Sequence, residues 1–186
     1  MASGGPAGAR QKMIDSAIVL FRERGVAATS MRDIVDHGGA PRGSIYHHFP
    51  GGKQQLALEA TEFAGDFIAS LLDALAAEAP EAAVDKFVGY WRSALTEKEF
   101  QDGCPVASAA VSGTETPEAR AAAGRAFGRW EDILARALTE RGVPAARAGS
   151  LATLVIAAVE GALIMARAQR SDEPLRAVAT ELRGLL

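Results

Sequence analysis

Arg42, Ser44, Tyr46 and His47 crowd into one short run, Gly38-Gly39-Ala40-Pro41-Arg42-Gly43-Ser44-Ile45-Tyr46-His47-His48-Phe49. These side-chain types suit contact with a nucleic acid. An arginine can donate two hydrogen bonds to O6 and N7 of guanine, and a serine hydroxyl can bond a base or a phosphate. Tyr46 and His47 have the reach to hold phosphates. At about 100° per residue, Ile45 and Phe49 project together as inward anchors, with His48 beside them. Gly43 and His47 project opposite, flanked by Arg42, Ser44 and Tyr46. A glycine on that outer face lets the backbone approach a groove closely. Lys53 follows a glycine turn at a helix start, where amide groups and the helix dipole favour an anion. Thr29 and Ser30 offer hydroxyl and amide donors at the start of the preceding helix. The spacing of Gly38 and Gly43 fits half of a phosphate-binding loop, but Ser44 stands where that loop needs lysine and no strand precedes it.

Short helices must position these groups. From about Ala9 to Arg24, Ile14, Ala17, Ile18 and Phe21 share one helical face, and Gly25 ends the helix. Ser30 with Asp33 resembles a capping box for a helix running to His37. Gly38 and Gly39 stop that helix, and Pro41 suits the first position of the next. Two short helices joined by a glycine-containing turn form a helix-turn-helix. Residues 1–8 read as a disordered tail and 9–52 as the DNA-binding domain, with 53–186 as a second domain.

That second part reads as six further helices. They span about Lys53–Ala79, Glu81–Glu97, Pro105–Val111, Pro117–Arg141, Ala145–Gln169 and Pro174–Leu186. With no convincing strand, the expectation is an all-α protein of nine helices. Phe63, Phe67, Phe87, Trp91, Phe127 and Trp130 recur at helical spacing. They fit a core, and they also fit the lining of a small-molecule pocket. Glu160 interrupts the apolar stretch from Leu151 to Ala166 and is the sharpest polar candidate there. It suits either a buried pair with an arginine, a place at a subunit seam, or an acceptor for a ligand hydroxyl or amine. That stretch is shorter than the ~18 residues of a minimal membrane span, so it reads as a buried helix and no membrane partner is expected.

Composition narrows the function classes. Net charge is −3 over 186 residues, but residues 1–60 carry +2 and the remainder −5. All three histidines lie in the first part, which fits a small DNA-facing head on an acidic body. The single cysteine, Cys104, excludes an intrachain disulfide and zinc-finger spacing. No signal peptide is visible, and a cytoplasmic location is expected. No paired carboxylates, metal-ligand spacing or cysteine–histidine pairing offers a catalytic constellation. The chain is therefore expected not to be an enzyme and to need no cofactor or metal. The rival reading is an α-helical carrier or enzyme with an incidental helix-turn-helix.

The segment from Gln11 to about Leu58 resembles the TetR family of repressors. The resemblance rests on Arg24-Gly25, Thr29-Ser30-Met31-Arg32-Asp33-Ile34, Gly43-Ser44-Ile45-Tyr46-His47-His48-Phe49 and Lys53. Pro41 departs from the Ser or Thr cap that is frequent in the family. The resemblance implies base contacts near Arg42, Gly43 and Ser44, and phosphate contacts near Thr29, Tyr46, His47 and Lys53. It implies a homodimer paired through the last two helices, on a near-palindromic double-stranded operator with half-sites ~34 Å apart. It also implies a body pocket for a small, largely apolar inducer that releases DNA. Gly103-Cys104-Pro105-Val106-Ala107-Ser108 is similar to a segment of the branch related to lincomycin-resistance repressors. Cys104 is counted among the expected ligand-binding residues; at a helix N-terminus, which can lower a thiol pKa, it also suits a turn-and-packing role or a redox sensor.

Overall fold

The computed structural model describes residues 6–40 and 43–185, with side chains described from Gly8 onward. Nine helices and no strand occur among them. They are α1 (Pro6–Arg24), α2 (Met31–Gly38), α3 (Ile45–His48), α4 (Gly52–Leu75), α5 (Pro80–Glu97), α6 (Pro105–Ala110), α7 (Pro117–Glu140), α8 (Ala145–Gln169) and α9 (Glu173–Leu185). The expected disordered tail of residues 1–8 is corrected over its last three residues. Helix α1 already begins at Pro6, a first-turn position where a missing N–H costs nothing. The rest of that expectation, and the Pro41 and Arg42 assignments, lie outside the described residues.

The chain divides into two compact units. The first runs to Gly65 and includes Pro105–Gly124; the second comprises Asp66–Cys104 and Arg125–Leu186. The boundary follows packing and passes through α4 and α7, whereas the functional division placed at residue 52 follows motif content.

In the first unit, α1 packs on α2, α3 and α6. Met13, Leu20 and Phe21 of α1 are buried with Ile34, Ile45, Phe49 and Leu56. Helix α6 belongs to this unit, and its Ser108 Oγ accepts the Val26 N–H at 3.2 Å. In the second unit, α9 folds back along α8 and also packs on α5. Arg92 Nε reaches Asp172 at 2.8 Å and Arg183 pairs with Asp85, tying both ends of α9 to α5. By length and composition α8 is apolar enough to cross a membrane. Nine of its residues, among them Leu151, Val155, Val159 and Leu163, are nevertheless buried in the body.

Helix α4 ends at Leu75, short of the expected Ala79. The Ala76 N–H is shared between the carbonyls of Leu72 and Asp73, and the Glu78 N–H turns back to Leu75. Arg141 then donates to the carbonyls of Ala76 and Glu78. A cation at a helix C-terminus satisfies orphan carbonyls and complements the dipole.

Candidate functional site

Helix α2 is set by a reciprocal cap. The Ser30 Oγ accepts the Asp33 N–H at 3.1 Å, while the Asp33 carboxylate accepts the Ser30 N–H at 2.8 Å and the Ser30 hydroxyl at 2.6 Å. Those Ser30 hydrogen bonds hold the Asp33 carboxyl below its ordinary value. At the other end, Gly39 adopts the left-handed conformation (φ +62°) and its N–H returns to Val35. A residue with a Cβ is strained there, and the turn redirects the chain toward α3. Gly38 packs close to α1: a Cβ there would lie 2.9 Å from Ser16 Oγ, and that hydroxyl would have to shift.

Helix α3 is one turn long. Ile45 and Phe49 are buried, whereas Gly43, Tyr46 (62% exposed) and His47 face solvent, and Ser44 and His48 are half-buried. Phe49 is held from two sides. The Arg10 guanidinium lies 4.8 Å from its ring centroid and pairs with Glu59 of α4. Glu59 also accepts from Gln55 at 3.0 Å, and Gln55 Oε1 accepts the Gly51 N–H at 2.9 Å. The turn from α3 into α4 is therefore braced by α1 through Arg10. Sequence reasoning missed this residue, which carries no motif signal.

The structure brings Lys53 beside the segment that precedes α2. Its Nζ donates to the Ala27 carbonyl at 3.1 Å, which leaves two further N–H donors on the ammonium. Thr29 requires a correction. It is 0% exposed, its hydroxyl donates to the Gly25 carbonyl at 2.8 Å, and its N–H is given to Val26 at 3.3 Å. Neither donor is available to a phosphate. Ser30 is exposed, but both of its donors are committed to Asp33. The Asp33 N–H is also taken, by the Ser30 hydroxyl, which leaves the first two amides of α2 as the helix-start donors without an intrahelical acceptor.

The residues expected to bind a ligand fall in both units: Phe63 belongs to the first and the others to the second. Phe63 and Phe67 are about half exposed. In the second unit, ring contacts run from Phe67 to Tyr90 (5.9 Å), Tyr90 to Trp91 (5.0 Å) and Trp91 to Phe87 (6.4 Å). Phe127 and Trp130 form an edge-to-face pair at 5.2 Å. Glu160 is partly buried, and the Cys104 thiol is its hydrogen-bond partner, not an arginine. Burial pushes its carboxyl up to about 7, and the bond from Cys104 opposes that rise. The second unit also holds a partly open cavity of about 80 Å³, walled by Leu72, Val84, Phe87, Leu134, Val155 and Leu182 among others. Of the expected ligand-binding residues only Phe87 lines it. Its other wall residues read as ordinary core positions, because periodicity marks burial and not how completely the space is filled.

Comparison with known proteins covers both parts of the chain. Residues 13–60 match the model for bacterial regulatory proteins of the tetR family. Residues 80–181 match the C-terminal domain of LmrA/YxaF-like transcriptional regulators. An uncharacterised HTH-type transcriptional regulator of Mycobacterium tuberculosis is 40% identical over 185 residues, covering 96% of this chain and 94% of that protein. The HTH-type transcriptional regulator YxaF of Bacillus subtilis is 32% identical over 176 residues, covering 93% and 92%. A TetR transcriptional regulator from Legionella pneumophila has the same fold, with a TM-score of 0.85 at 21% identity over 100% of this chain and 98% of that one.

Proposed function

Because the chain belongs to the TetR family of helix-turn-helix transcriptional regulators, we propose that it acts as a homodimeric repressor that releases its operator when a small, largely apolar ligand occupies the body. The observation that carries this reading is the two-sided α3. Ile45 and Phe49 anchor it, and Gly43, Tyr46 and His47 are turned outward. In this reading α3 enters the major groove with Arg42, Gly43 and Ser44 against base edges. Tyr46, His47, Lys53 and the first amides of α2 hold the flanking phosphates. The protein works in the cytoplasm, where the operator is, as a regulator rather than an enzyme.

The pairing surface is α8. Leu154, Ile164 (66% exposed) and Met165 are large apolar side chains left in solvent, and Gly161 permits close helix approach. A second copy would bury them in a two-fold interface. A ligand acts by favouring the body conformation that binds DNA less well, which requires different affinities for the two states.

A gel shift on DNA upstream of the chain's own coding region tests the proposal. Arg42→Ala is expected to weaken specific binding by roughly 1–3 kcal/mol and to relax preference at one base position. Unchanged operator affinity would remove Arg42 from base recognition. Absence of binding by an intact dimer at low salt would favour a small-molecule carrier instead.

A further inference from the structure

Two features of the second unit are left over by the DNA-binding reading. The first is the cavity of about 80 Å³, whose walls are almost wholly aliphatic and aromatic. Two charged side chains reach its edge, and both are already committed. Glu78 pairs with Lys86. Arg141 donates to the carbonyls of Ala137 (2.8 Å), Ala76 and Glu78 (2.6 Å). A charged ligand entering here would find no free counter-charge, and an unpaired charge is strongly disfavoured in such surroundings. The occupant must therefore be neutral. The space is about half that of a 150 Å³ engineered apolar cavity that takes benzene, so it suits a short branched or cyclic alkyl group.

The second feature is Trp91. It is 2% exposed, and its Nε1–H is the one buried side-chain polar atom without a partner among the described residues. A buried donor without an acceptor carries its full desolvation cost, which makes it a place where an acceptor binds tightly. Phe87 stands between the two features, since Trp91 itself does not line the cavity. Phe87 lines the cavity and sits edge-on to the Trp91 ring at 6.4 Å, one helical turn earlier on α5.

We propose that the second unit binds a neutral compound whose alkyl end fills this cavity and whose carbonyl or ether oxygen, passing Phe87, accepts the Trp91 Nε1–H bond. This rests on the reading that this part of the chain takes an effector, and it gives that effector a chemistry: an apolar body, one hydrogen-bond acceptor and no charge.

The full-length protein, ¹⁵N-labelled at its two tryptophans, reports the bond directly through their indole N–H signals, with Trp91→Phe identifying which signal belongs to Trp91. The probes are cyclopentanone and its near-isostere methylenecyclopentane, which lacks the acceptor. Cyclopentanone is expected to shift the Trp91 indole signal saturably and to bind at least tenfold more tightly than the hydrocarbon. In Trp91→Phe the two probes should bind alike. Ala83→Leu, which fills the cavity from its rim, should weaken both, and it keeps the test open if Trp91→Phe does not fold. Equal binding of the probes to the wild type overturns the proposal. So does a preference for the ketone that survives Trp91→Phe, undiminished binding to Ala83→Leu, or no saturable shift. These titrations contain no DNA. A ketone that binds as expected and leaves operator affinity unchanged would strike the effector reading and leave the site standing.

Discussion

The segment from Gly25 to Glu59 and the body around α5 and α8 use their polar groups in opposite ways. In the first, Ser30, Asp33, Gly51 and Gln55 each bond a neighbour a few residues away, and Lys53 and Arg10 tie the turns to other helices. The start of α2 and the turn into α4 are each held by side-chain bonds. In the second, an indole N–H has no acceptor, a carboxyl is held where burial disfavours its charge, and a cavity stays unfilled. A surface that reads bases must be presented in one geometry, whereas a body that answers a ligand needs alternative states close in free energy. The largest test of this contrast is Phe49→Ala. Removing a fully buried ring is expected to cost about 3–5 kcal/mol, because α3 loses its anchor and Arg10 loses the ring beneath it. Chemical denaturation measures it, and a loss below about 1 kcal/mol would mean that this segment is as loosely packed as the body.

Glu160 tests the other side. Burial pushes its carboxyl up to about 7 in the folded chain against 4.5 as a free group, and the hydrogen bond from Cys104 offsets that rise in part. Between those values the folded state keeps a proton that the unfolded state has lost. Stability therefore falls as pH rises from 4.5 through 7, by roughly 3 kcal/mol, and is level above about pH 8. Glu160→Gln removes that slope. At pH 8 the variant is expected to be more stable than the parent by up to about 3 kcal/mol, and near pH 4 the two should coincide. Parallel pH profiles would show that the carboxyl is as well solvated as any surface group, and the contrast between the regions would lose its clearest element.

What was legible in the sequence follows the same divide. The capping of α2, the inward Ile45 and Phe49 and the outward Tyr46 and His47 depend on spacings of three and four residues, so periodicity and cap chemistry reveal them. The apolar α8 was legible from its long apolar run, Leu151 to Ala166, interrupted by Glu160. Missing from any local pattern were the placement of α6 beside α1, the partner of Glu160, the early end of α4 and the cavity. Ser108 meets Val26 across 82 residues and Arg141 reaches Ala76 across 65. Nothing in the flanking residues encodes such pairings. Thr29 failed differently: it has the right residue type at the right position, but its hydroxyl finds the Gly25 carbonyl before any phosphate.

Ser30→Ala sharpens the contrast at a smaller scale. It removes the hydroxyl half of the capping box on α2 and keeps the backbone N–H bond to Asp33, an expected loss of about 1 kcal/mol by thermal or chemical unfolding. Because both Ser30 donors face Asp33, its effect on DNA affinity should follow the loss of order in α2 and not the loss of a phosphate contact. The salt dependence of operator binding should then match the parent. A reduced slope would show that Ser30 releases Asp33 and turns to the phosphate on binding.

Lys53→Ala should reverse that pattern. Its Nζ gives one proton to Ala27, an exposed bond whose loss is expected to change stability by no more than about 0.5 kcal/mol. The two remaining donors and the positive charge sit at the start of α4, near the segment that leads into α2. If they hold one phosphate, removing them lowers the slope of log K against log salt by about 0.9 and weakens all DNA sequences alike, since a phosphate contact carries no base information. The two substitutions together separate scaffold from contact: Ser30→Ala moves stability and leaves the slope, and Lys53→Ala moves the slope and leaves stability. Should Lys53→Ala instead destabilise the fold with an unchanged slope, the Ala27 bond is its whole role, and the phosphate at this edge must be held by the α2 amides alone.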